Sequence, residues 1–176
     1  MMNTYGGNQE DRFEDITQHS NGKLYCIGAN NSIDQNTRLW ITAIEMNGDT
    51  LWNYFSDSLS SKGKSVTLVN NEIIFCGSNT PIQPNNVIPK SYYLVGGLDI
   101  NGAELFYADY DYYYYNEEAC VEVIKKPLSN NYYLLSNIHY NNKNRIYSSE
   151  MNSQWIHSGS SDLNGNENDV AKGLDT

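Results

Sequence analysis

The densest run of reactive side chains in this 176-residue chain is Asp109-Tyr110-Asp111-Tyr112-Tyr113-Tyr114-Tyr115-Asn116-Glu117-Glu118, which holds five tyrosines and four carboxylates. A tyrosine ring offers an apolar face that stacks on a sugar, and a neighbouring carboxylate accepts hydroxyl protons. Asp109, Asp111, Tyr112, Tyr113, Tyr114, Tyr115 and Glu117 are therefore the candidate contacts for a glycan or a peptide. Alternate tyrosines would equally serve as packing wedges between repeated sheets, and that plainer role stays open.

Asp162-Leu163-Asn164-Gly165-Asn166-Glu167-Asn168-Asp169 sets oxygen side chains at alternate positions, the spacing with which a calcium loop surrounds a hard cation. Asp162, Asn164 and Asn166 are weak candidates only: the glycine comes at the fourth position rather than the sixth, and no helices flank the segment. A solvated turn is the expectation there and at Asn8, Glu10 and Asp11, with no metal ion. His19, His139 and His157 are scattered and belong to no metal or catalytic motif. Trp52 and Trp155 fall at equivalent places in a repeat, which with Trp40 points to packing rather than a ligand box. Cys26 and Cys76 lie in the apolar runs LYCIG and IIFCG, where a thiol acts as a small core residue. Cys120 makes three, and no CxxC pair or nearby histidine offers metal or redox chemistry. No nucleophile elbow, phosphate loop or dinucleotide fingerprint occurs, and no cofactor is expected.

What must position these residues is a repeat of about fifty residues, a period that signals propellers or solenoids. Glu45-Met46-Asn47-Gly48 before Leu51-Trp52 is matched by Asp99-Ile100-Asn101-Gly102 before Leu105-Phe106, and by Glu150-Met151-Asn152-Ser153 before Trp155. Upstream of each lies an apolar strand: Lys23 to Gly28, Glu72 to Gly77, Asn131 to Ser136. A polar turn and a short branched run precede each of those: Asp15-Ile16-Thr17, Ser65 to Leu68, and Cys120 to Ile124. Each unit thus offers four short strands rich in Tyr, Val and Ile and punctuated by Asn-Gly type turns, which argues against helix. Leu39 to Met46 and Tyr92 to Ile100 are apolar almost throughout, as strands covered on both faces are. Gly96-Gly97 suggests a bulge or a close backbone approach near the axis of the assembly.

The expected fold is all-β: three four-stranded antiparallel propeller blades at about 5–56, 57–109 and 110–157, and the first strand of a fourth within 158–176. Asn168 to Gly173 resembles that strand, and Ser158-Gly159 echoes Tyr5-Gly6-Gly7 before the first. Three blades leave faces uncovered, so the chain is expected to be part of a larger propeller, with further blades from a longer protein or, alternatively, from a second copy.

The order Gly-Gly, Asp-Ile/Val, an Asn-Gly turn, an apolar strand ending in Gly, then Asn-Gly-x-x-Leu-Trp resembles the propeller repeats of secreted Bacteroidetes-type bacterial proteins. Its last turn is similar to blades of quinoprotein-like propellers. The fuller quinoprotein docking motif is missing, so no quinone is implied. The resemblance implies a secreted or cell-surface location, although the N-terminus MMNTYGG has no signal-peptide pattern. A net charge of −10 repels phosphate backbones and anionic lipids, and no apolar run reaches the roughly 18 residues of a membrane helix. Nucleic acid and membrane insertion are therefore excluded as partners. The expected function is a non-catalytic binding or scaffold module that contacts protein or glycan through inter-blade loops. A glycan-active enzyme with acids converging on the axis, and a purely structural repeat, are the alternatives.

Overall fold

The computed structural model describes residues 4–34, 36–81, 90–110, 117–140, 143–152, 154 and 157–163, with the backbone alone at 117, 140 and 157–162. Among the described residues twelve strands form three antiparallel sheets. The first holds β1 (Arg12–Gln18), β2 (Leu24–Asn30), β3 (Arg38–Ile44) and β4 (Thr50–Phe55). The second holds β5 (Ser61–Val69), β6 (Glu72–Asn79), β7 (Tyr92–Asp99) and β8 (Glu104–Tyr110). The third holds β9 (Glu117–Lys125), β10 (Tyr132–Tyr140), β11 (Lys143–Met151) and β12 (His157–Asp162). In every sheet spatial order follows chain order, a plain meander.

Turn chemistry sets the hairpins. Asn70 and Asn71 both take positive φ between β5 and β6, as a two-residue type I′ loop demands. Between β3 and β4, Gly48 N–H donates to Glu45 C=O at 2.8 Å with Gly48 at φ 92°, a three-residue loop that ends in a left-handed glycine. The same bonding recurs at Asp99 and Gly102, where φ is 89°.

Middle strands carry the apolar load because both their faces are covered. Every residue from Tyr25 to Asn30 and from Leu39 to Ile44 is buried. Tyr25, Ile27, Leu39 and Ile41 meet Ile73, Phe75, Leu94 and Leu98 in one core between the first and second sheets. Ile74, Cys76, Tyr93 and Val95 meet Cys120, Val123, Leu134 and Met151 in another between the second and third. The strands β5 and β9 each pack against the preceding sheet, and β1, β5 and β9 lie side by side. Four-stranded meanders stacked face to face, with their first strands neighbouring one another, are blades of a β-propeller.

A shared irregularity marks each first strand. Register slips between Phe13 and Asp15, between Gly63 and Ser65, and opposite Leu135 and Ser136, so Glu14, Lys64 and Val121 are the extra residues of three equivalent bulges. The first bulge lets the Asp15 carboxylate accept a hydrogen bond from Val66 N–H of the next blade at 2.9 Å. Bulging also drives the carbonyls of Arg12 and Lys62 over Gly28 and Gly77, where a Cβ would land far inside the 3.0 Å limit of real contacts.

Two sequence expectations need correction. Gly96-Gly97 does lie under close neighbours, the rings of Phe75 and Phe106, and a bulge follows Gly97. Both glycines belong to β7, the third strand, so they sit in the outer half of the blade and not near the axis. The third sheet also continues past 157: β12 pairs with β11 through Asp162, so Ser158-Gly159 belong to its outer strand and do not open a fourth blade. An edge strand needs little apolar pattern, and His-Ser-Gly-Ser-Ser-Asp has almost none. Asn168 to Gly173 lie outside the described residues.

Candidate functional site

Antiparallel pairing brings the start of each first strand, the end of each second and the start of each third to one end of its blade. Two equivalent backbone bonds align these ends between blades. Ser61 N–H donates to Thr37 C=O at 3.0 Å, and Glu118 N–H donates to Ser91 C=O at 3.0 Å. The polar ends of three blades therefore form one rim.

Clefts open on this rim at each seam. At the first seam, Glu10, Arg12, Asn31, Thr37 and Lys62 line a cleft of about 80 Å³. At the second, Ser91, Glu118, Asn137, Ile138, His139 and Asn144 line one of about 210 Å³. The size difference has a local cause. Arg12, Lys62 and Ala119 hold equivalent places on the first strands, and only the third blade puts a small side chain there.

Within the larger cleft, the Nδ1 of His139 lies 2.8 Å from Asn144 Oδ1. An amide oxygen accepts, so Nδ1–H is the donor in this contact. Glu118 is 2% exposed and is partnered within the fold. It occupies the place of Ser61, whose hydroxyl accepts from Leu39 N–H at 2.9 Å, so it anchors the blade as well as lining the cleft. Carboxylate, imidazole, amides and the Ser91 hydroxyl together form a mixed donor and acceptor set suited to hydroxyl groups. Each cleft holds one carboxylate among the described residues. Hydrolysis of a glycosidic bond uses two, separated by roughly 5 to 10 Å.

Of the contacts expected from sequence, Asp109 is at the end of β8, on the same rim. Its carboxylate accepts from Asn79 Nδ2 at 2.8 Å, and the same amide donates to Ser58 Oγ at 2.9 Å. Desolvation pushes the Asp109 carboxyl up, and the Asn79 bond only partly offsets it. The charge therefore costs stability above the folded-state pKa, and the cost vanishes as pH falls below the ordinary carboxylate range. Asp109→Asn keeps an acceptor for Asn79. Its thermal midpoint should be level with or slightly above the parent at pH 7 and indistinguishable from it in acid; a marked loss at pH 7 would contradict this balance. Glu117 opens β9 through its backbone, while its side chain, Asp111 and Tyr112 to Tyr115 lie outside the described residues. Asn164, Asn166 and the Asp162 side chain lie outside them too.

Asp11 is spent on its own loop: its carboxylate accepts from Gly7 N–H, Asn31 N–H and Ser32 Oγ at 2.6, 2.8 and 2.6 Å. These bonds hold its carboxyl below the usual range in spite of burial, which acts in the opposite direction and is the largest single influence. His19 bridges two turns at the opposite end. Its Nδ1 accepts from Asn21 N–H, which leaves Nε2 to donate to Asn71 Oδ1 at 2.9 Å. Trp40 lies against Phe13 and Phe55, and Trp52 donates to Ile100 C=O while covering the turn at Gly102. Trp155 is outside the described residues. All three cysteines are free and buried, and burial, helped by Asp15, raises the Cys26 thiol to about 11.

The sequence placed Glu118 in the acidic run and His139 among scattered histidines of no motif. Aligning the blades by their bulges is the signal that puts Glu118 in register with Asp11 and Ser61, at the rim.

No family model matches the sequence, and no curated protein does. Among solved structures the chain is similar to the GH32 beta-fructofuranosidase BmSUC1 of Bombyx mori, at a TM-score of 0.57 and 9% identity over 89% of this chain. It is similar also to a mutant of that enzyme in complex with sucrose, at 0.55 and 8%. The chain spans 36% of the length of each. These enzymes contain a five-bladed propeller domain, and the likeness shows the propeller fold.

Proposed function

We propose that this chain is a carbohydrate-contacting propeller module of a glycan-active protein, and that sugar binds at the rim cleft between the second and third blades. The observation that carries this is the convergence of Glu118, Asn137, His139 and Asn144 on one opening of about 210 Å³. That volume suits about one sugar ring rather than a chain, being below the range of roughly 300 to 1,000 Å³ for drug-sized ligands. In sequence the tyrosine-rich acidic run from Asp109 directly precedes Glu118, and its rings are the further sugar contacts of this reading. Structural likeness to a sucrose-bound glycoside hydrolase supports the ligand class. A secreted or cell-surface setting, as in the bacterial repeats the sequence resembles, fits this role.

The test is titration of the chain with a panel of neutral oligosaccharides, followed by backbone NMR. At least one member should shift the amides of residues 118, 137 and 139. The double variant His139→Ala, Asn144→Ala should bind at least ~10-fold more weakly, with a thermal midpoint near the parent's. Silence across the panel at millimolar sugar, or shifts confined to the turns at Asn47 and Asn101, would sink the proposal. Sugar release that Glu118→Gln abolishes would favour the hydrolase reading, with the second carboxylate supplied from outside the cleft.

A further inference from the structure

Cys76 and Cys120 come from successive blades and face one another across the second seam. Cys76 is on β6, the second strand of its blade, and Cys120 on β9, the first strand of the next. Both are wholly buried in the core that joins the two blades. The repeat shows how directly they are opposed. Registering the blades by their bulges makes Ile27 equivalent to Cys76, and Gly63 equivalent to Cys120. At the first seam, the Ile27 side chain fills the space a Cβ on residue 63 would take. The second seam puts a thiol on each side of that space, in one packed core, and the Cys120 thiol is near enough to add to the burial that disfavours the Cys76 thiolate. Cys26 is equivalent to Phe75, one position before Ile27, so it points to the opposite face of the first blade.

We propose that Cys76 and Cys120 are a disulfide site that staples the second blade to the third when the chain folds in an oxidising environment. The step is thiol–disulfide exchange with a small-molecule disulfide such as oxidised glutathione. One protein thiolate attacks it and releases one glutathione thiol; the second protein thiolate then displaces the other. One protein S–S bond forms, one glutathione S–S bond breaks, and the two electrons and two protons end on two glutathione thiols. Because both sulfurs are buried in the native chain, the exchange runs during folding, before the seam closes. The ring so formed encloses some 45 residues, long enough for a staple to restrict the unfolded chain substantially. The sugar-binding proposal plays no part in this inference.

The 176-residue chain is refolded in a mixture of reduced and oxidised glutathione, unfolded without reductant, alkylated with iodoacetamide and weighed. One adduct per molecule is expected, on Cys26, together with a cross-linked peptide pair containing Cys76 and Cys120. The thermal midpoint should rise by on the order of 10 °C over chain refolded with reductant. Cys26→Ala should keep the link and the rise. Cys76→Ala combined with Cys120→Ala should lose both and give the same midpoint under the two conditions. Three adducts on folded, oxidatively refolded chain would overturn the inference, and so would a cross-link through Cys26.

Discussion

Gly77→Ala is expected to cost about 3 kcal/mol or more, a large share of the 5 to 15 kcal/mol that typically holds a domain together, and to leave much of the chain unfolded at 37 °C. The methyl group would fall on the Lys62 carbonyl oxygen, and backbone on a paired strand cannot swing aside as a side chain can. Gly28→Ala meets the Arg12 carbonyl in the same way and should cost a similar amount. Ser136 is the informative comparison. It holds the equivalent place in the third blade, is buried, and its hydroxyl has no hydrogen-bond partner among the described residues. Ser136→Ala should therefore be neutral or mildly stabilising, since it removes an unmet polar group. Urea denaturation of the three variants decides the matter. Equal midpoints for Gly77→Ala and the parent would show that the bulge does not pin the second strand.

Phe75→Ala should cost about 3 to 5 kcal/mol and lower the thermal midpoint by roughly 10 °C. Phe75 is wholly buried where the first two blades meet, and its ring tip rests against Gly96. Gly96 has no side chain of its own to fall into the gap, so much of the cavity persists and the lost contacts are not fully replaced. Phe106→Ala supplies the scale. That ring is only partly buried, beside Gly97 at the second seam, and its loss should cost clearly less. Phe75→Leu should recover much of the deficit. If calorimetry finds the two alanine variants equally stable, the first seam is not the tighter of the two.

The sequence made the blades legible because their cause is local. Asn-Gly turns, strands of five to nine residues and apolar third strands each state a backbone preference within a few positions, and their recurrence gives the stack. Its outer edges were less legible: β12 carries no apolar pattern, and that led to the misplaced limit at 157. The cleft was hardly legible at all. Glu118 lies 21 residues before His139, and it meets His139 and Asn144 only through the pairing of β9, β10 and β11. The size of their opening depends on Ala119, a residue that no motif search would notice. The juxtaposition of Cys76 and Cys120 was hidden for the same reason, since it appears only when equivalent bulges are superposed.

The paired clasps Ser61 N–H to Thr37 C=O and Glu118 N–H to Ser91 C=O give the array a polarity of growth. Each newcomer packs its opening strand on the first and second strands of the blade before it and clasps the residue that leads into the third, so a completed blade is the template for its successor. A polypeptide emerging from the ribosome amino end first meets these templates in the right order. Propagation from that end lets every added sheet bury one apolar surface on arrival and present its other flank for the next to cover.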